Sequence, residues 1–296
     1  MATTPRQMSS GVASRNTNIT SPPPKLSAKA VELFYQSPGK LPTQALADIT
    51  FDIQAGQFVS IVGPSGCGKT TFLMAVDGLI PTDRGTIAID GNVIDKPGPD
   101  RAVVFQDASL LPWRTVLRNI QYGLELRGQK KAEARQIATK LVDLVGLSGF
   151  EHHYPRQLSG GMRQRVNVAR ALAMDPEVLL LDEPLAALDA QTREYMQSEL
   201  LTIWEKTKKT ALFITHQIDE AIYLSDRVII FGRQPARVKA DIHIELERPR
   251  GLEVKETPEF NDYEREIWRI ISEETRLSKA ENSNAEKSQA PENSFQ

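Results

Sequence analysis

With 296 residues, 40% of them apolar and 25% charged, the chain can build one large core or a core with an attached subdomain. A net charge of −2 gives no global field to recruit nucleic acid or anionic lipid, and the single cysteine, Cys67, excludes an internal disulfide. No apolar run approaches the roughly 20 residues of a membrane-spanning helix, so work at a membrane would require docking on other subunits.

Residues 1–26 are polar, free of acidic residues and rich in Ser, Thr, Asn and Pro. They lack the regular apolar spacing of an organelle transit peptide, and a disordered leader is expected. Ala30–Phe34 and Ile49–Ile53 read as strands, the second placing Ile49, Phe51 and Ile53 on one face. Phe58–Val62 reads as a buried strand, and Gly85–Asp90, ending at Gly91, signals a hairpin. Ala102–Phe105, Val178–Leu181, Ala211–Ile214 and Val228–Phe231 are short and continuously apolar. Such runs suit a parallel sheet covered by helices on both faces.

Between Leu110 and Ala173 there is no comparable strand; Val116–Leu126, Lys131–Val145 and Gly161–Ala173 read as helices. The pattern is a helical block, about residues 108–167, inserted in a sheet domain spanning 27–250. Val238–Ile244 is expected to form a small strand pair. Phe260–Ile271 is expected as a closing helix within a C-terminal extension, 251–276. The polar stretch 277–296 reads as a disordered tail.

Gly63-Pro-Ser-Gly-Cys-Gly-Lys-Thr-Thr71 lies between the strand at Phe58 and a helical pattern through Leu79. This is G-x-x-x-x-G-K-[ST] in its required setting, and it predicts a nucleoside triphosphate site. The glycines allow a tight turn that aims backbone N–H groups at phosphate, and the helix start adds further donors. Lys69 supplies a charge for the β- and γ-phosphates and Thr70 a hydroxyl for Mg²⁺. Cys67 is either a small spacer or, if helix-end donors lower its pKa, a reactive thiol.

Val178-Leu-Leu-Leu-Asp-Glu-Pro184 ends a buried strand in two carboxylates, at the sheet edge where ligands of α/β domains bind. Asp182 is placed to complete the Mg²⁺ shell beside Thr70, and Glu183 to polarise or deprotonate an attacking water. Leu158-Ser-Gly-Gly-Met-Arg-Gln-Arg165 precedes a helical run and forms a second N-terminal anion site at Ser159, Gly160 and Gly161. One chain rarely needs two phosphate cradles. The economical explanation is that this second one serves a nucleotide held by another copy. His152 and His153 are adjacent, make a poor metal site and read as loop residues.

These motifs, with Gln106 in Phe105-Gln-Asp107, Leu188-Asp189, and His216 in Ile214-Thr-His216, occur in the order found in ATP-binding cassettes. The chain resembles an ABC transporter ATP-binding subunit over roughly Ser27–Arg276. The resemblance implies an α/β P-loop (RecA-like) parallel-sheet core with an antiparallel β subdomain and an inserted α-helical subdomain. It also implies ATP and Mg²⁺ as cofactors and ATP hydrolysis coupled to transport.

Tyr35, or its neighbour Phe34, takes the place of the adenine-stacking aromatic. Gly63, Pro64, Ser65, Gly66, Cys67, Gly68, Lys69, Thr70 and Thr71 line the phosphates. Thr70, Gln106 and Asp182 serve the metal. Glu183, His216, Gln106 and Lys69 are the catalytic set. Ser159, Gly160, Gly161 and Asp189 face a nucleotide of the second copy. Ala186 stands where many relatives carry Ser, a departure expected to alter coupling across the interface modestly.

Gln106-Asp-Ala-Ser-Leu-Leu-Pro-Trp113, Asp226–Gly232 and Leu246-Glu-Arg-Pro-Arg250 resemble cassettes of nitrate, sulfonate, taurine and bicarbonate importers. About 64 residues follow Gly232, too few for the regulatory domain of sugar-importing relatives. The implied partners are a second copy packed head to tail, two membrane permease subunits and, indirectly, a solute-binding protein, with no nucleic acid. Trp113 is the expected permease contact, and Leu110 and Leu111 either join it or pack in the core. The implied location is peripheral, on the cytoplasmic face of the inner membrane. A soluble cassette ATPase acting on ribosomes or DNA is the alternative. It usually needs paired cassettes, a coiled coil or a basic surface.

Overall fold

The computed structural model describes residues 22–289 apart from residues 37 and 40. In chain order the elements are β1 (Leu26–Tyr35), β2 (Thr43–Ile53), β3 (Phe58–Val62), α1 (Lys69–Asp77), β4 (Arg84–Ile89), β5 (Asn92–Val93) and β6 (Arg101–Val104). The helical block follows: α2 (Val116–Leu126), α3 (Lys131–Leu144), a 3-10 turn at Pro155–Gln157, and α4 (Gly160–Leu172). The chain then returns through β7 (Val178–Asp182), α5 (Ala190–Thr207), β8 (Thr210–Ile214), α6 (Ile218–Leu224), β9 (Arg227–Phe231) and β10 (Val238–His243). A 3-10 turn at Leu252–Glu256 leads into α7 (Pro258–Gln289).

The continuously apolar strands form the centre of a six-stranded sheet in the order β10-β9-β3-β8-β7-β6. All neighbours are parallel except β10, which closes one edge antiparallel to β9. Both faces are covered, which is why these strands do not alternate with polar residues. Phe58, Val62, Leu179, Leu181, Phe213 and Ile230 face the helices of one layer. Val59, Ile61, Leu180, Leu212, Ile214 and Ile229 face the other, where α1 packs with the second sheet.

That second sheet is antiparallel, in the order β2-β1-β4-β5, and it alternates as a one-sided sheet should. Asp90 and Gly91, both with positive φ (49° and 78°), turn the expected hairpin from β4 into β5. Helix α1 joins the two sheets. The Phe72 ring lies 5.3 Å from that of Phe51 on β2 and 5.7 Å from that of Phe231 on β9. The helix that follows the glycine loop is thereby fixed from both sides.

Three boundaries differ from the sequence reading. The expected leader reaches residue 26, but Lys25 bridges Asp90 at 2.9 Å and Glu177 at 3.0 Å, and Leu26 is fully buried between Ile53 and Ile89. These ion pairs fasten the chain ahead of β1; residues 1–21 lie outside the described residues. Within Val238–Ile244, Val238–His243 forms one strand on β9, because the turn at 232–237 returns it to the edge of the large sheet. Helix α7 continues through 277–289, where a disordered tail is expected. The Ala, Glu, Lys and Gln in that stretch are good helix formers. Residues 290–296 lie outside the described residues.

Candidate functional site

The loop after β3 is pressed against the sheet. A Cβ on Gly63 would lie 2.5 Å from the Phe231 carbonyl oxygen, and Gly68 has φ 116°, so a side chain at the first meets backbone and at the second is strained. Lys69, only 5% exposed, folds back on the loop: its Nζ donates to the carbonyls of Gly63 (2.9 Å) and Pro64 (3.1 Å). Among the described residues no carboxylate pairs with it. A buried ammonium with only neutral partners is poised to exchange them for an anion.

Tyr35, Ala45, Ser65, Gly66, Gly68, Lys69, Thr70, Thr71, Glu183 and Gln234 line a cleft of about 280 Å³. The Tyr35 hydroxyl is 3.1 Å from Thr71 Oγ1, which ties it to the first turn of α1. Phe34 is half-buried and does not line the cleft, so of the two aromatics the structure brings Tyr35 to the site.

Asp182 ends β7, and Glu183 follows it and lines this cleft. Thr70 Oγ1 donates to Asp182 at 3.1 Å, joining the two oxygens expected to share a cation. Burial pushes the Asp182 carboxyl above the usual carboxylate range; the Thr70 bond and Lys69 oppose this, and Glu183 adds to it. Hard oxygen donors at the mouth of a phosphate cradle fit Mg²⁺. Glu183 has φ 45°, uncommon for a residue with a side chain, and its N–H donates to the Ile214 carbonyl at 2.9 Å. This geometry turns its carboxylate toward the end of β8, where His216 Nδ1 lies 3.1 Å from Glu183 Oε2.

The second anion site expected from the sequence lies elsewhere. Ser159 caps α4, accepting from the Met162 N–H at 3.2 Å, and Asp189 caps α5, accepting from the Thr192 N–H at 3.0 Å. That bond holds the Asp189 carboxyl below its usual range. Ser159 and Gly161 line a separate cleft with Arg165, Thr192 and Tyr195. Gly160 lines another, with Gln106, Arg163 and Leu188. One chain therefore does not bring Ser159, Gly161 and Asp189 to the Lys69 cleft.

Gln106 is exposed, on a loop tied to α4 by contacts that the sequence reading did not identify. Gln164 and Asn167 donate to the Phe105 carbonyl at 3.3 and 3.2 Å. Arg170 donates to the carbonyls of Ala108 (2.9 Å) and Ser109 (3.0 Å). Their spacing of three residues, polar on a helix face that should be buried, is the available signal. Gln234 was also missed. Its loop is set against β2 by a bond from the Ala236 N–H to the Ala45 carbonyl at 2.8 Å, a contact without a local sequence signature.

Cys67 is 1% exposed, and burial pushes its thiol up, which favours the spacer reading. Leu110 packs on the core, whereas Trp113 is 71% exposed. The Arg250 guanidinium is buried and donates to the carbonyls of Ile222, Tyr223 and Ser225, closing the end of α6. Desolvation lowers its pKa to about 10.

Known proteins resemble this chain over most of its length. The family described as ABC transporter matches residues 46–186. An uncharacterized ABC transporter ATP-binding protein of Methanocaldococcus jannaschii is 51% identical over 231 residues, covering 78% of this chain and 85% of that one. A taurine import ATP-binding protein of Yersinia pestis bv. Antiqua is 51% identical over 194 residues, 66% of this chain and 76% of that one. The ATP-binding cassette MJ0796, in a dimeric post-hydrolysis state bound to ADP and Pi, superposes with a TM-score of 0.65 at 31% identity, covering 75% of this chain and 100% of that one. The chain belongs to the ABC transporter family. Within that family it is an ATP-binding subunit, and its enzymatic activity is that of an ATPase.

Proposed function

We propose that this subunit energises a membrane importer for a small anion or organic solute, such as nitrate, a sulfonate, taurine or bicarbonate. The observation that carries the proposal is the 51% identity to a taurine import ATP-binding protein. No helix among the described residues is long and apolar enough to cross a membrane, so the subunit would dock peripherally on two permease subunits at the cytoplasmic face. The exposed Trp113 supports a hot-spot contact for a permease helix.

Two copies would pack head to tail, each completing the other's site. Lys69 and the loop N–H groups bind the phosphates of ATP, and Tyr35 stacks on adenine. Thr70 and Asp182 would hold Mg²⁺, Gln106 would join them from its separate loop once the copies close, and the bound ion would neutralise charge on the phosphates. Glu183 orients and deprotonates the attacking water, and His216 holds Glu183 and the γ-phosphate in line. Ser159, Gly160, Gly161 and Asp189 of the second copy close on the same nucleotide. The separation of the two anion sites within one chain supports this reading. Loss of the γ-phosphate loosens the pair, and the Gln106 loop, tied to α4, passes the movement to the permease.

The test is to purify the full chain from its native membranes, identify the co-purifying permease and solute-binding protein, and measure binding of each of the four solutes to the latter. Tight binding of one solute by the co-purifying protein is expected. A ribosome- or DNA-bound pool without a permease would overturn the proposal.

A further inference from the structure

The loops bearing Glu183 and His216 leave adjacent strands, β7 and β8. A buried polar chain runs between them. Glu220, in the first turn of α6, is 2% exposed, and its Oε2 accepts from Thr215 Oγ1 at 2.6 Å. The same hydroxyl accepts from the Gln217 N–H at 3.0 Å, so the residues on both sides of His216 are fastened.

The other oxygen of Glu220 faces α5: Arg193 Nε is 3.8 Å from Oε1. That guanidinium reaches back along the loop after Glu183, donating to the carbonyls of Leu185 (3.4 Å) and Leu188 (2.7 Å). A buried carboxylate outside the nucleotide cleft is costly unless its partners require it. Here its partners are Thr215, beside His216, through a hydrogen bond, and Arg193 of α5, through an ion-pair contact at 3.8 Å that leaves Oε1 without a hydrogen bond.

We infer that Thr215, Glu220 and Arg193 form one positioning link that keeps His216 and Glu183 in mutual register for ATP hydrolysis. The inference rests on the reading that Glu183 and His216 carry out the chemistry. The three residues touch neither nucleotide nor water; they act through the loops. A misplacement of about 1 Å between catalytic groups can cost as much as 10²-fold in rate. Loosening one end of the link should therefore lower kcat and leave ATP affinity in place.

The experiment measures phosphate release and fluorescent-ATP binding by the full chain carrying Thr215→Val, Arg193→Ala, both together, Glu220→Gln or Glu183→Gln. Thr215→Val removes the hydroxyl at constant volume. It and Arg193→Ala should each lower kcat about tenfold with ATP affinity within about twofold, and the double variant should lose no more than the larger single loss, because the residues act as a unit. Glu220→Gln removes the charge that faces Arg193 and is expected to lower kcat by a similar factor, with ATP affinity kept.

A parental kcat in Thr215→Val, losses that multiply in the double variant, or a kcat loss that follows ATP affinity would overturn the link. A Glu183→Gln variant that hydrolyses at the parental rate overturns the catalytic assignment and the link with it. Loss of activity in Glu183→Gln beside a parental rate in Thr215→Val overturns the link alone.

Discussion

His216 Nδ1 lies 3.1 Å from Glu183 Oε2, a distance at which the Nδ1–H tautomer donates to the carboxylate. The contact depends on the left-handed backbone of Glu183, which aims its side chain across to β8 rather than along its own strand. Non-glycine residues held there cost on the order of 1–3 kcal/mol, and such strain gathers at working sites. Glu183→Gln keeps the size and loses the base. It is expected to bind ATP as the parent does and to hydrolyse it about 10²–10⁴-fold more slowly. Steady-state phosphate release checks this, and a parental rate would remove Glu183 from the mechanism.

Asp182 sets stability against activity. Burial raises its pKa, so over the window above the ordinary value of about 4 the folded chain holds more protons than the unfolded chain. The stability contribution of this group therefore falls as the pH rises through that window, because ionising the buried carboxyl costs desolvation. Asp182→Asn should raise the nucleotide-free Tm at pH 7. It should also lower Mg²⁺-dependent hydrolysis by about 10²-fold or more, since an amide supplies no anionic oxygen. Scanning calorimetry with an ATPase assay checks both; a lower Tm would mean that Thr70 and Lys69 outweigh the burial.

Tyr35 and Phe34 can be separated by affinity. Tyr35 lines the cleft and contacts Thr71, whereas Phe34 does not line it. Removing a base-stacking aromatic costs about 1–3 kcal/mol, so Tyr35→Ala should weaken ATP binding roughly five- to 150-fold. Phe34→Ala should leave it within about twofold. Titration calorimetry with ATP decides; the reverse order would assign the stacking to Phe34.

Cys67 should be inert in the native chain, because its thiol is buried and raised in pKa. Maleimide should label it only after denaturation, and Cys67→Ser should keep ATPase activity. Stoichiometric labelling of the native protein, prevented by MgATP, would restore the reactive reading.

Much of the fold was legible because its signals are local. The strand–glycine loop–helix at Phe58–Leu79, the apolar strands and the hairpin at Gly91 each announce themselves within a few residues. The positions of candidate site residues at element ends were legible for the same reason: motif and element end coincide at Lys69, Asp182 and Ser159. The long-range contacts were not. Lys25 finds Glu177 across 152 positions, and Gln164 finds Phe105 across 59. No periodicity encodes such pairs. The Glu183 backbone was hidden for a different reason: its conformation comes from the Ile214 carbonyl on the neighbouring strand. Helix α7 went unread past residue 276 because polar composition speaks to burial, whereas helix formation there follows propensity.

The central claim is that the Lys69 cleft is half a site, completed by Ser159 and Gly161 of a second copy. Sedimentation of the Glu183→Gln chain with MgATP tests it most directly, alone and with Ser159→Phe added. The account predicts a dimer that forms only with MgATP and is lost when Ser159→Phe blocks the second cradle, while each chain still binds ATP. A Glu183→Gln chain that stays monomeric when saturated with MgATP would contradict it.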